Sequence, residues 1–202
     1  EIGVELSLGE TPIVMERNHL ELNGLPVYGV DSTFLTLTGG LDLDSMWLDI
    51  ALKSDSFAPA KLVEGGPIPV HGDLATAIDG HVKGALDSIL VDIDVTVLPV
   101  TDIAYPIDQK NLAQVKPYGT VNVKYDVPQS KLDLGGRINV DEGVVRYSPK
   151  LYPIMPFRVD SGSHVDFHGP LGQTMLNFSA SQKVKANVQS EGEQMRQVDF
   201  IT

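Results

Sequence analysis

The segment His164-Val165-Asp166-Phe167-His168 brings together the residue types best suited to chemistry in this chain. Two imidazoles and a carboxylate are sound ligands for zinc or iron. On a β-strand His164, Asp166 and His168 share one face, with successive side chains about 7 Å apart. The outer pair then stands about 14 Å apart, too far for one ion whose bonds are about 2.1 Å long. A metal-dependent hydrolase at His164 and His168 would need a sharp bend in the strand. The plainer reading is a wet strand face whose reverse buries Val165 and Phe167. His71-x-Asp73 has the same geometry and the same reading, and His19 and His81 are isolated. A Gly-x-Ser-x-Gly elbow, a phosphate loop and a His-Glu-x-x-His helix are all absent from the sequence. Gly39-Gly40, Gly65-Gly66 and Gly135-Gly136 read as strand bends, because no Lys-Ser or Lys-Thr follows them. Carboxylates are so plentiful that a pair at glycosidase spacing would carry no information. Asp87, Asp92 and Asp94 read as keeping an outer face soluble. Trp47 is the only tryptophan, so no platform of stacked rings is signalled. The expectation is a protein without catalytic residues, metal or cofactor.

The elements that hold these residues announce themselves by alternation. Ile89 to Val97 reads ILVDIDVTV. Ile89, Val91, Ile93, Val95 and Val97 are apolar and β-branched, while Asp92, Asp94 and Thr96 are polar. Period two is the pattern of a strand with one greasy and one wet face. Nineteen glycines and thirteen prolines divide the chain into short segments, nearly all of which alternate. Leu20-Glu21-Leu22 runs into the turn dipeptide Asn23-Gly24. Leu35, Leu37, Leu41 and Leu43 share a parity that switches after Asp44-Ser45 to Met46, Leu48, Ile50 and Leu52, suggesting a bulge or bend. Phe57 to Pro69 reads as a connector, and Pro99 to Pro117 as a linker or covering loop. Val121, Val123, Tyr125 and Val127 resume the alternation. Leu132-Leu134, Ile138-Val140 and Val145-Tyr147 follow as separate runs. Tyr147 to Phe157, with Pro149, Pro153 and Pro156, is excluded as an interior strand. Val165-Phe167, Leu176-Phe178-Ala180 and Val184-Ala186-Val188 close the set. Leu74 to Ile78 and Glu191 to Val198 are weak helix candidates, crowded by glycine. Helix is expected over less than about a tenth of the chain.

At 202 residues the chain can bury a sizeable core. A net charge of −12 with dispersed lysines and arginines argues against nucleic acid and against anionic headgroups. The absence of cysteine excludes disulfides and thiolate sites. Glu1 and the alternating end Val198-Asp199-Phe200-Ile201-Thr202 read as cut ends, so residues 1–202 are expected to be one β-rich fragment of a longer protein. There is also an internal echo. Gly84 to Val95 aligns without gaps on Gly169 to Ala180, and Gly39-Gly40-Leu41 leading to Leu48-Asp49-Ile50 is a third copy with one insertion. Repeating a glycine, a short turn and an alternating strand extends a sheet sideways.

Residues 136–169 carry a resemblance. They comprise Gly136-Arg-Ile-Asn-Val-Asp-Glu-Gly143-Val-Val-Arg-Tyr147, a connector with Pro149 and Pro153, then Phe157-Arg-Val159-Asp-Ser-Gly162-Ser-His-Val165-Asp-Phe167-His-Gly169. With Leu176-Asn-Phe178-Ser-Ala180 and the closing Gly192 to Phe200, they resemble the C-terminal domain of TamB-type proteins, in the AsmA-like group. The proline-rich connector resembles the form found in Bacteroidota. The likeness is specific over 119–202 and only stylistic over 1–118. It implies an elongated, curved, mostly antiparallel sheet forming an open trough (a β-taco) with an apolar concave face. It also implies a periplasmic, cell-envelope location and a parent protein anchored in the inner membrane. The cargo it implies is phospholipid moving toward the outer membrane, or unfolded outer-membrane protein strands delivered with a barrel-type assembly partner. If the alternating faces point inward, the lane residues are Ile89, Val91, Ile93, Val95, Val121, Val123, Leu176 and Phe178. The rival expectation is a closed structural or adhesive β-sandwich, since the same alternation fills an ordinary core.

Overall fold

The computed structural model describes residues 7–29, 34–57, 71–148, 155–188 and 196–201. Its strands are β1 (Ser7–Leu8), β2 (Ile13–Glu16), β3 (His19–Tyr28), β4 (Phe34–Asp42), β5 (Trp47–Phe57), β6 (His71–Asp73), β7 (Thr76–Ala85), β8 (Leu90–Val97) and β9 (Asp102–Pro106). They continue as β10 (Leu112–Asp126), β11 (Lys131–Tyr147), β12 (Met155–Val159), β13 (His164–Gly169), β14 (Met175–Asn177), β15 (Ala180–Ser181), β16 (Lys183–Val188) and β17 (Arg196–Ile201). Among the described residues the only helical element is a 3-10 turn at Leu171–Gln173. β1 to β15 form one 15-stranded antiparallel sheet along the path β1-β3-β4-β5-β7-β8-β10-β11-β12-β15. β16 and β17 pair separately as a two-stranded sheet. The large sheet does not close into a barrel; it is an open, curved trough.

Cross-strand pairing converts the alternation of each segment into continuous rows, because directly opposed residues share a face. One row runs Leu22, Gly39, Ile50, Val82, Val91, Tyr125, Leu132 across seven strands. The next runs Leu25, Leu37, Leu52, Gly80, Ile93, Val123, Leu134. A third joins Ser54, Ile78, Val95, Val121, Gly136 and Phe167. A fourth joins Thr76, Val97, Gly119, Ile138, Val165 and Leu176. The reverse face is polar, with rows such as Asp49–Lys83 and His81–Asp92–Lys124–Asp133. Among the described residues the sealed apolar side chains are Leu22, Leu25, Val27 and Val159. The other apolar members of the four rows remain half-buried, apart from the exposed Leu176. A closed sandwich would seal them.

Curvature enters at glycines on the apolar face. Gly119 has φ +138° and Gly136 φ +107°, a conformation that side chains rarely adopt. A Cβ at Gly119 would run into the Arg137 carbonyl, and one at Gly136 into the Thr120 carbonyl. The bare backbones therefore lie closer than side chains would allow, and glycine kinks of this kind bend a sheet.

Several boundaries differ from those the sequence suggests. The parity change after Asp44-Ser45 is a hairpin turn between β4 and β5 rather than a bulge. Asp42 accepts there from the Ser45 amide at 2.7 Å and from its hydroxyl at 2.6 Å. Pro99 to Pro117 is no linker: it contains β9 and the first part of β10. Pro117 is tolerated because the register slips between Lys116 and Pro117, so a missing N–H falls where pairing is already interrupted. The three runs from Leu132 to Tyr147 are one continuous strand of 17 residues, passing through Gly135, Gly136 and Gly143. Pro156 lies within β12, opposite Arg146, while β15 pairs only with Arg158 and Val159. Leu74–Ile78 runs into β7 instead of a helix. In the segment Glu191–Val198, Arg196 onward is strand, and 191–195 lie outside the described residues, as do 58–70 of the connector.

Candidate functional site

The apolar face is the candidate site, and β8 and β10 form its centre. They pair antiparallel from Leu90–Asp126 to Val97–Gly119. That register sets Ile93 opposite Val123 and Val95 opposite Val121, with Val91 opposite Tyr125. These five expected lane residues therefore form one contiguous patch on one face. Ile89 sits just before β8, half-buried, and its carbonyl accepts from the Val127 amide at 3.1 Å. Leu176 lies three strands beyond β10 on β14, at the far end of the fourth row, and is 70% exposed. Phe178 follows β14 outside any strand and is 42% exposed. The pairing extends the patch to residues not singled out beforehand: Ile50, Leu52, Val82, Tyr125, Leu134 and Ile138. Their parity was visible, but which strand lay beside which was not.

The opposite face carries the charge. Lys83 pairs with Asp49 at 3.3 Å, and Lys124 with Asp92 at 3.3 Å. Asn122 donates to Asp92 at 2.7 Å and to Asp94 at 2.8 Å. The Asn122 bond, aided by Lys124, holds the Asp92 carboxyl below its ordinary value. Two open depressions of about 860 Å³ each lie over this face. One is lined by His81, Asp92, Lys124 and Asp133, the other by Gln114, Lys116, Glu142 and Arg158. Leu90, Val91 and Tyr125 also line the first, and Val115, Val144, Pro156 and Val159 the second, so both mix charge with hydrocarbon.

His164, Asp166 and His168 do share this polar face, on β13 beside Asn139, Arg137 and Gly135 of β11. Arg137 engages both oxygens of Asp166, from Nε at 2.5 Å and from an Nη at 2.9 Å. That hydrogen-bonded pair lowers the Asp166 pKa. His164 Nδ1 lies 2.6 Å from the Gly162 carbonyl, and its Nε2 is 3.5 Å from Asp166. The carboxylate is thus engaged by a guanidinium. Among the described residues no group of three or more His, Cys, Asp and Glu is placed to hold a metal ion.

The face consequently presents hydrocarbon on one side of a single layer and paired charge on the other. A row across seven strands spreads over roughly 29 Å at the usual strand spacing. Comparison of the chain with protein-family models, with curated proteins and with solved structures finds no match.

Proposed function

We propose that the apolar face carries lipid acyl chains, and that the chain is a periplasmic segment of a TamB-like bridge between the two membranes of a cell envelope. The observation that supports this is the run of apolar rows on one face of the large sheet, whose central members on β8, β10 and β11 are half-buried instead of sealed. A bilayer's hydrocarbon core is about 30 Å thick, so each leaflet's chains occupy about 15 Å. A lane of roughly 29 Å holds such a chain with room to move. Every methylene that leaves water contributes about 0.8 kcal/mol. The rows offer similar residues at each step and no deep terminal pocket, which favours sliding over capture. The headgroup stays in water beyond the open side.

A second cargo has its own support. β2 pairs only with β3, and β14 only with β13, among the described residues. Ile13 and Met15 on β2, and Met175 and Leu176 on β14, are exposed. An unpaired edge flanked by apolar side chains accepts an added strand. Such a strand could come from an unfolded outer-membrane protein handed to a barrel-type assembly partner.

Native mass spectrometry of the chain after gentle extraction tests the first reading. Phospholipid should remain bound, and detergent should displace it. Material free of lipid, and unable to take it up from vesicles, would remove the acyl-chain reading.

A further inference from the structure

The third apolar row ends at a hydroxyl. Ser54 faces Ile78 across the β5–β7 ladder, in line with Val95 and Val121. It is 2% exposed, and its Oγ has no hydrogen-bond partner. Burying a hydroxyl without a partner is unfavourable, and such groups are rare in folded proteins. Other buried hydroxyls close by are satisfied. Thr76 Oγ1 donates to the Phe57 carbonyl at 3.1 Å, and Thr101 Oγ1 donates to the Ala75 carbonyl at 2.9 Å. Those bonds occupy two nearby acceptors. The β5–β7 register slips between Ser54 and Phe57, so pairing is already broken beside the orphan group. Broken pairing of this kind lowers the cost of local opening.

We infer that Ser54 is a specificity residue of the lane: its hydroxyl, covered in this structure, is uncovered when the interrupted pairing between Ser54 and Phe57 opens, and it then donates to the ester carbonyl of an acyl glycerolipid lying on the apolar face. This rests on the acyl-chain reading above. The ester is the group that fits. It is a neutral acceptor attached directly to hydrocarbon, so it reaches an apolar position without carrying charge there. A phosphate would bring its charge out of water at far greater cost. An added peptide strand would engage a sheet edge, whereas Ser54 lies on a face of an interior strand.

The test compares a fluorescent diacyl glycerophospholipid with its dialkyl-ether analogue of identical chains and headgroup, titrated onto the full chain. The wild type should bind the ester form about two- to twelve-fold more tightly, as one net hydrogen bond requires. Ser54→Ala should bind both forms equally, at the wild-type affinity for the ether. Equal binding of both by the wild type, or a preference that survives Ser54→Ala, overturns the assignment while leaving the lane in place. Binding of neither by the wild type overturns the lane and this assignment together. Urea unfolding supplies a second check: Ser54→Ala should be at least as stable as the wild type, because it removes an unsatisfied group. A clear loss of stability would show that the hydroxyl already has a partner, and would overturn the inference.

Discussion

Replacing Ile93 by Asp places a carboxylate at the centre of the lane. Gly80 and Val123 flank it across the neighbouring strands, with Leu52 and Leu134 next in the row. None of these offers a compensating cation. Full burial of an isoleucine side chain contributes about 1.5–3 kcal/mol, and Ile93 is half-buried, so about 1–1.5 kcal/mol of packing is lost. Lower strand preference removes up to about 1 kcal/mol more. The sum of about 2 kcal/mol is below the 5–15 kcal/mol typical of folded domains, and the sheet survives. Binding suffers separately. If only two methylenes lose their apolar contact, about 1.6 kcal/mol disappears, a weakening of at least about tenfold before the carboxylate's own desolvation is added. Leu90→Asp is the matched control: the same new charge on the same strand, on the polar face between Lys83 and Asp126. Leu90 is already exposed, so this variant should keep both stability and lipid. The assay is fluorescent-phospholipid titration beside urea unfolding for both variants. Equal lipid affinity in Ile93→Asp, Leu90→Asp and wild type would refute the assignment of the lane to this face.

Gly135 and Gly136 are adjacent but should respond oppositely to alanine. A Cβ at Gly135 meets nothing closer than 4.0 Å, so Gly135→Ala should shift the urea midpoint little. Gly136→Ala forces a side chain onto φ +107° and into the Thr120 carbonyl, and should cost about 1–3 kcal/mol. Thr101→Val removes a fully buried hydroxyl that bonds both the amide and the carbonyl of Ala75. It should destabilise by about 1–3 kcal/mol, and an unchanged midpoint would show those bonds to be unimportant. Asp166, lowered mainly by its hydrogen bond to Arg137, should titrate below the ordinary carboxyl value in a carbon-13 NMR pH series. Because its folded-state pKa is depressed, the stability it confers is present above the unfolded value of about 3.9 and is lost as pH falls toward the folded one. Arg137→Gln should raise the Asp166 pKa, and an ordinary wild-type value would refute the pairing.

The face assignments were legible because parity is local. Ile93 and Asp94 differ in polarity, and any strand that includes both must send them to opposite sides. Strand ends were less legible, because proline and glycine were read as breaks. Pro117 survives inside β10 only because the register slips there: Lys116 pairs with Glu142 and Pro117 with Val140, leaving Asp141 over. That slip involves a residue more than twenty positions away, and nothing near Pro117 records it. Gly136 likewise is a kink within β11, not its end. For the lane, Val91 to Val95 and Val121 to Val123 were found because each lies in a strongly alternating run. Val82 and Ile138 escaped because each has glycines for company. Gly80 and Gly84 flank Val82 along the sequence, and Gly135-Gly136 stand just before Ile138. The orphan state of Ser54 depends on which carbonyls Thr76 and Thr101 take, which no sequence pattern displays.

The sheet's composition bears on how such a face stays half-buried among the described residues. A contiguous apolar surface of this breadth is rare on a soluble monomer, and on the acyl-chain reading it is the surface that binds. β-branched residues cover one another across the ladder, so each keeps only part of its surface in water. That leaves a face dry enough to fold and wet enough to gain from a guest. A guest that binds only the folded sheet then stabilises it by mass action, by about 2.7 kcal/mol when its free concentration is a hundred times its dissociation constant. On the acyl-chain reading the polar reverse face, braced by Lys83–Asp49, Lys124–Asp92 and Arg137–Asp166, takes no part in holding hydrocarbon. Raising salt should therefore weaken those exposed pairs while leaving acyl-chain affinity unchanged or stronger. A lipid affinity that falls steeply with salt would place the cargo on the charged face, over the depressions beside Asp92 and Glu142, and the lane would have to be abandoned.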